Sequence, residues 1–138
     1  MMMRVTRSAA LLCLTASALT SCDEDAFDPT RVTGVEWRLE SLQRLDGAVL
    51  PVDRGRYTLT LDTDGRLGVR SDCNSCFGSY ALSGSSLAVA ARGCTRAFCG
   101  EDSLDQPYVR ALQSARNVDG GENRLVVSGP EGTLRFTR

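Results

Sequence analysis

The 138-residue sequence contains no histidine, no lysine and no isoleucine. The absence of histidine excludes the Ser-His-Asp and Cys-His arrangements in which an imidazole activates a nucleophile. It also excludes zinc sites built on histidine ligands and removes the side chain that ordinarily exchanges a proton near neutral pH. No other set of residues combines a nucleophile, a base and oxyanion donors. We therefore predict a protein that is not an enzyme and that has neither a metal site nor a cofactor.

An excess of charge of either sign is also missing. All 16 basic residues are arginines, and they face 17 Asp and Glu residues, so the formal net charge is −1. A chain without surplus positive charge has no basic field that attracts nucleic acid. Nucleic acid is therefore not among the predicted partners.

The N-terminal 22 residues have the pattern of a bacterial lipoprotein signal. Two arginines precede an apolar run over residues 9–19, and Leu-Thr-Ser-Cys then ends at Cys22. The run is far shorter than the ~20 residues that a helix needs to cross a bilayer, which is typical of a signal. We predict that residues 1–21 are removed and that Cys22 carries acyl chains such as palmitate, because two or more chains anchor a protein stably. An ordinary signal peptide cleaved near Ala18 or Ser21 is the alternative.

The segment after Cys22 is acidic and low in apolar residues, so it cannot bury enough surface to fold. We predict an acidic flexible tether over residues 22–33 and a folded domain over residues 34–138. Without residues 1–21 the chain keeps 117 residues, and its 14 arginines face 17 acidic residues, for a net charge of −3. This length suits one domain with one core. The expected location is the bacterial cell envelope, on the periplasmic or outer side of a membrane.

Apolar and polar residues alternate through most of the domain, which is the pattern of half-buried β-strands. Trp37, Leu39 and Ser41 alternate in the first such stretch. Later stretches double back through turn residues at 63–65, 83–85 and 129–132, and each predicts a β-hairpin.

One segment breaks this alternation. Leu104, Tyr108, Leu112 and Ala115 recur at helical spacing, and Pro107 suits a first helical turn. The predicted order is five strands, one helix and two strands. This order predicts an α+β fold in which a strongly curved antiparallel sheet or partial barrel carries one helix between its fifth and sixth strands.

Four cysteines lie in the predicted domain, spaced C-x₂-C-x₁₇-C-x₄-C. Such spacing would predict a zinc site in a cytosolic protein, but export to an oxidising compartment favours disulfides. A hairpin that turns at residues 84–85 places Cys76 beside Cys94 and leaves Cys73 nearest to Cys99. The nested pairing Cys73–Cys99 with Cys76–Cys94 fits this hairpin best, and the crossed pairing is the alternative.

The residues from Trp37 onward resemble the META domain, the family of HslJ-type heat-shock lipoproteins. The resemblance covers residues 34–137, and its motif positions are Trp37, Leu39, Cys73, Asn74, Gly78, Tyr80, Thr95 and Cys99. The family's Cys-Asn motif and later Cys fall on Cys73-Asn74 and Cys99. The resemblance therefore implies a Cys73–Cys99 bridge and, by subtraction, a Cys76–Cys94 bridge. It also implies structural roles for three motif positions: a turn at Asn74, a close approach at Gly78 and a core ring at Tyr80.

The resemblance implies no catalytic residues. Together with the lipid signal, it predicts a non-enzymatic envelope domain, tethered through Cys22, that binds a partner protein or a small ligand in an envelope stress response. One alternative is an inhibitor or pilot-like chaperone of an exported protein, acting through loops 46–56 and 92–101. A weaker alternative is a thiol–disulfide redox protein that uses Cys73 and Cys76, although their C-x-x-C motif lies in a predicted strand rather than at a helix N-terminus.

Overall fold

The computed structural model of the protein describes residues 26–138. The predicted signal and Cys22 lie outside the described residues. The described chain forms a short 3₁₀ helix, nine strands and one α-helix. In chain order these are the 3₁₀ helix (Pro29–Arg31), β1 (Glu36–Gln43), β2 (Val49–Pro51), β3 (Tyr57–Leu61), β4 (Arg66–Ser71), β5 (Asn74–Ser83), β6 (Ser86–Cys94), α1 (Asp105–Gln113), β7 (Asn117–Gly120), β8 (Arg124–Gly129) and β9 (Gly132–Thr137). No helix in this part of the chain has the length and apolar character that a membrane span requires.

The strands form one antiparallel sheet that curves into a ring. Its order is β2-β1-β3-β4-β5-β6-β7-β8-β9, and β1 also pairs with β9. β3 and β2 share one edge of β1: β3 pairs with its beginning and β2 with its end. The α+β class and the strongly curved antiparallel sheet that the sequence predicts are confirmed.

The three predicted hairpins are present, because alternation and turn residues specify them locally. They are β3–β4, β5–β6 and β8–β9, whose inner strand partners are Leu61↔Leu67, Ser83↔Ser86 and Gly129↔Gly132.

Two short strands, β2 and β7, are absent from the predicted order. β2 has three residues with no buried side chain, and β7 buries only Val118. Neither is long enough to show an alternating pattern. As a result, α1 follows the sixth strand rather than the fifth, although its place in the sequence is the predicted one.

A bulge corrects the predicted alternation of β1. Leu39 pairs with Phe136 and Ser41 pairs with Arg135, so Glu40 has no direct partner on β9. The extra residue turns the following side chains over. Leu42, and not Ser41, therefore continues the inner face that Leu39 begins, and both leucines are buried.

The helix lies where two neighbouring strands of the ring pair over the shortest length. β6 and β7 share only the pair Ser86↔Asn117, whereas β6 pairs with β5 along its whole length. α1 contacts β4, β6, β8 and β9 and buries Tyr108, Ala111 and Leu112. The helix therefore covers the core where β6 and β7 part.

Tyr108 is the centre of this packing. It is fully buried, and its ring meets Tyr57 edge-on at 5.5 Å between centroids and lies 6.3 Å from Phe136. Its hydroxyl donates to the Thr58 carbonyl at 2.9 Å, so the buried polar atom has a partner. Burial raises the pKa of Tyr108 well above its usual value.

The folded domain begins before residue 34. Val32 is fully buried, and its carbonyl accepts a 2.9 Å hydrogen bond from the Trp37 indole nitrogen. The Gly34 amide donates to Leu61 O at 2.7 Å. Asp28 accepts a hydrogen bond from the Thr30 amide at the start of the 3₁₀ helix. The last residues of the predicted tether therefore form part of the fold, because Val32 supplies an apolar side chain that the core takes up.

Candidate functional site

The four domain cysteines lie in two pairs at disulfide distance, in the nested arrangement. The Cα atoms of Cys76 and Cys94 are 4.1 Å apart, and those of Cys73 and Cys99 are 5.6 Å apart. A bulge in β6 aligns the inner pair. The hairpin register holds Gly78 opposite Ala91, then slips by one residue, so that Cys76 lies directly opposite Cys94.

The pairing separates the two cysteines of the C-x-x-C motif. Cys73 and Cys76 belong to different pairs, and the motif runs into the start of β5 rather than into a helix. Redox motifs of this spacing bond their two cysteines to each other at a helix N-terminus. Among residues 26–138, no three or more Cys, Asp or Glu side chains are grouped so that they could hold a metal ion.

Asn74, which lies between Cys73 and Cys76 in the sequence, joins the start of β5 to Thr95, Ala97 and Asp105 by hydrogen bonds. This side chain is 1 % exposed. Its Oδ1 accepts hydrogen bonds from the Ala97 amide at 2.8 Å and from the Thr95 hydroxyl at 3.0 Å. Its Nδ2 donates to the Ala97 carbonyl at 3.0 Å and to Asp105 Oδ2 at 3.1 Å. All four hydrogen-bonding positions of the amide are thus used.

We call residues 95–99 the clamped loop. At its start, Thr95 N donates to Ser75 O at 3.0 Å, and Ser75 N donates to Thr95 Oγ1 at 2.9 Å. At its end, the Cys73 amide donates to Cys99 Sγ at 3.3 Å. Asn74 holds the middle through Ala97. The loop is therefore fixed at both ends and at its centre.

The clamped loop presents an aromatic side chain to solvent. Phe98 is 82 % exposed. Phe77, on β5, is also exposed, but its ring covers its cross-strand neighbour Gly93, where an added Cβ would lie 2.6 Å from the ring. Phe77 therefore has a local role in packing over a glycine, which leaves Phe98 as the aromatic that projects from the loop.

A groove of about 290 Å³ lies between the clamped loop and α1. Arg96 and Arg110 line it from opposite sides, and neither forms an ion pair with another described residue. Asp105 also lines the groove, but one of its carboxylate oxygens is occupied by Asn74. The groove therefore offers two guanidinium groups, and one of them, that of Arg96, belongs to the same loop as Phe98.

The residue before the Cys-Asn motif is part of a second polar cluster. Asp72 is buried and has a φ of 60°, and it accepts hydrogen bonds from Arg56 and, at 3.1 Å, from the Tyr57 hydroxyl. Burial alone would raise the pKa of Asp72, but hydrogen bonds from Ser103 and Tyr57 and the charge of Arg56 lower it below the ordinary value. The Tyr57 hydroxyl in turn accepts from the Leu104 amide at 2.9 Å. This ionised aspartate therefore braces the segment that leads into α1.

Burial also changes the acidity of Tyr57. Burial, the largest influence, raises the pKa of Tyr57 above its usual value, and the neighbouring Asp72 acts in the same direction. The phenol is therefore neutral and the carboxylate is charged at neutral pH. A carboxylate of lowered pKa is a weak base, so the cluster is suited to holding structure rather than to proton transfer.

The remaining motif positions lie away from the clamped loop. Trp37 and Leu39 are fully buried on the inner face of β1. An added Cβ on Gly78 would lie 1.9 Å from Ala90 O, so Gly78 permits a close approach of two strands. Tyr80 is only partly buried at the edge of the core, and its hydroxyl donates to Asp62 O. The expectation of a core ring at Tyr80 is therefore corrected to a ring at the edge of the core.

Sequence reasoning missed Phe98. It selected the loop 92–101 and, within it, Cys94, Thr95 and Cys99, but it gave Phe98 no role. The usable signal is an aromatic residue in a stretch without alternation, enclosed between two cysteines. Such a residue has no strand or helix to carry it into the core.

Comparison with known proteins assigns the chain to a family. The family model of the META domain matches residues 30–138. No curated protein matches the chain. An NMR structure of a protein from Burkholderia xenovorans shares the fold with a TM-score of 0.64 and 24 % identity, over 91 % of this chain and 98 % of that one. A crystal structure of a duf4847 family protein from Bacteroides vulgatus has a TM-score of 0.61 and 12 % identity, over 77 % of this chain and 93 % of that one.

The family match covers the ring, the helix and all four domain cysteines, and it agrees with the resemblance that the Cys-Asn motif suggests. The chain therefore belongs to the META domain family.

Proposed function

We propose that this chain is a non-enzymatic domain of the bacterial cell envelope, tethered through acylated Cys22, that binds a partner protein through the clamped loop. The observation that carries this proposal is the exposed ring of Phe98 on a loop fixed at three points. A preordered loop loses little conformational entropy on binding, so more of the contact energy becomes affinity. Aromatic residues, Phe among them, are also enriched at the cores of protein interfaces, where a few buried anchors carry most of the binding energy.

The groove between the clamped loop and α1 indicates what the partner carries. Arg96 and Arg110 lack carboxylate partners among the described residues, and arginine forms two-point hydrogen bonds with carboxylates. A segment with an apolar residue for Phe98 and a carboxylate for the arginines fits this surface. The stress response implied by the family resemblance would then act through such a partner.

An inhibitor or pilot-like chaperone of an exported protein is the second candidate. Both ends of the clamped loop are held by cysteine pairs, which favours a role in which the loop enters a cleft without rearranging. A panel of envelope proteases and secretion components tests this candidate, and the absence of inhibition or rescue by the chain would exclude it.

The tether is tested by intact mass spectrometry of the native, unreduced protein. We expect a chain that begins at Cys22, carries acyl groups and contains four oxidised domain cysteines. A native product with its leader uncut, or with free thiols, would overturn the tethering or the disulfide part of the proposal separately.

The binding surface is tested by measuring the affinity of a copurified envelope partner for two variants. Phe98→Ala is expected to weaken binding by about 30-fold or more, as for a central interface anchor. Leu45→Ala is the matched control, because Leu45 is likewise exposed, at 76 %, but lies between β1 and β2. Equal affinities of wild type and Phe98→Ala would exclude the clamped loop as the binding surface.

A further inference from the structure

A row of arginine and hydroxyl side chains crosses the outer face of the sheet. Arg38 on β1 lies opposite Thr58 on β3, and Thr58 lies opposite Arg70 on β4. Thr137 and Ser75 continue the row on β9 and β5. Neighbouring strands lie ~4.8 Å apart, so the backbones of the two arginines are ~10 Å apart, with Thr58 between them. Two extended arginine side chains can therefore reach one group above Thr58.

A groove of about 330 Å³ lies over this row. Its described lining contains four arginines and one carboxylate side chain, that of Glu36. The full lining is Glu36, Arg38, Arg54, Gly55, Thr58, Arg70, Thr137 and Arg138. We call it the arginine groove.

The existing ion pairs leave the arginine groove open to an outside anion. Arg70 forms no ion pair with another described residue. Arg38 lies 3.6 Å from Glu36, and more than half of each side chain is exposed. Exposed pairs of this kind contribute little, so an incoming anion can replace Glu36. Arg54 has a closer partner in Glu40, at 2.8 Å.

The arginine groove lies beside the point where the chain leaves the domain toward its N-terminus. Arg138 Nη2 donates to the Arg31 carbonyl at 3.0 Å, and its guanidinium stands over the Trp37 ring at 5.4 Å. Cys22 and Asp28 are six residues apart in the chain, a separation that spans at most ~22 Å when fully extended. An acylated Cys22 would therefore keep this part of the domain close to the bilayer.

We propose that the arginine groove binds the phosphate of anionic phospholipid headgroups. Guanidinium groups form paired hydrogen bonds with phosphate oxygens, and an open groove on the outer face admits a headgroup from a flat surface. The nearness to the bilayer rests on the proposed function, through Cys22, whereas the chemistry of the groove does not. The lining of the arginine groove shares no residue with the groove between the clamped loop and α1.

Vesicle binding by the unacylated chain tests the groove independently of the tether. Residues 22–138 with Cys22→Ser contain every described strand, the helix and both cysteine pairs, and so a complete core. We expect this protein to bind phosphatidylcholine vesicles that contain phosphatidylglycerol, to ignore pure phosphatidylcholine vesicles, and to bind less as salt increases. Absence of binding that depends on phosphatidylglycerol would overturn the proposal.

Paired substitutions assign the binding to the groove. Arg38→Gln with Arg70→Gln is expected to weaken vesicle binding by about 30-fold. Each basic residue at an anionic surface contributes about fivefold to the affinity, and the variant loses two of them. Arg44→Gln with Arg135→Gln removes the same charge from exposed positions outside the groove and is expected to change binding little. Equal losses from the two pairs would overturn a specific groove, and unchanged thermal unfolding would show that each variant folds.

A soluble competitor identifies the source of the phosphate. Inorganic phosphate is expected to compete weakly with the vesicles, because it lacks the many headgroups of a surface. Tight binding of inorganic phosphate without vesicles would overturn the lipid assignment. Vesicle binding by the unacylated chain alongside a native Cys22 without acyl groups would refute the tether and leave the groove proposal standing.

Discussion

Asn74→Ala removes the side chain that holds the middle of the clamped loop. The substitution leaves the Ala97 amide and carbonyl, the Thr95 hydroxyl and the Asp105 carboxylate without four hydrogen bonds of 2.8–3.1 Å. Each bond contributes about 0.5–1.5 kcal/mol net, and the bond to a charged group somewhat more. Because the loop lies at the surface, water replaces part of this loss. We expect the free energy of unfolding to fall by about 3 kcal/mol.

Two measurements check this prediction. Urea unfolding of the oxidised protein gives the change in free energy, and amide hydrogen exchange at Ala97 reports on the loop itself. The Ala97 amide donates directly to Asn74, so its exchange is expected to accelerate more than exchange in the core strands. Ser75→Ala is the control, because Ser75 is exposed on the same strand and only its backbone binds the loop. A loss below about 1 kcal/mol, with Ala97 as protected as in wild type, would refute the role assigned to Asn74.

Two further perturbations test the fold and its polar cluster. Gly78→Ala forces a Cβ to within 1.9 Å of Ala90 O. We therefore expect the free energy of unfolding, measured by heat or urea, to fall by about 2–3 kcal/mol. Gly121→Ala, with open space at its Cβ, is the control and is expected to be nearly neutral. Equal stabilities of these two variants would contradict the close approach. Asp72 has a lowered folded-state pKa, so its contribution is present above its unfolded pKa of about 3.9 and is lost as the pH falls through the lower folded value. Asp72→Asn is therefore expected to lower the free energy of unfolding by about 1–2 kcal/mol at neutral pH. It is also expected to make that free energy fall less steeply as the pH is lowered. A fall as steep as that of wild type would argue against this assignment.

Local sequence patterns predicted the elements that short-range physics controls. The hairpin turn at residues 83–85 and the helical spacing around Tyr108 are visible in single segments, and both appear at the predicted places. The sequence did not predict β2 or β7, because strands of three and four residues offer too little alternation. It also missed the bulge at Glu40, whose effect depends on the register of a distant strand.

The candidate site likewise contains features that the sequence predicted and features that it did not. The hairpin turn brought Cys76 close to Cys94 in sequence reasoning, and only the bulge in β6 set them directly opposite. The spacing of the cysteines carried no information about Asn74 as a hub, since its partners lie 21–31 residues later in the chain. The exposure of Phe98 follows from how that later segment is held.

By itself, the sequence determined the alternating strands, the turns, the helix around Tyr108, the family and the kinds of chemistry that a chain without histidine lacks. The strands, the turns and the helix depend on residues within one turn or one strand, where backbone periodicity fixes which side chains share a face. Tertiary structure alone decided the closure of β1 on β9, the arginine groove and the fixed position of Phe98. Each of these joins residues from separate strands, and their juxtaposition depends on the register and curvature of the whole sheet.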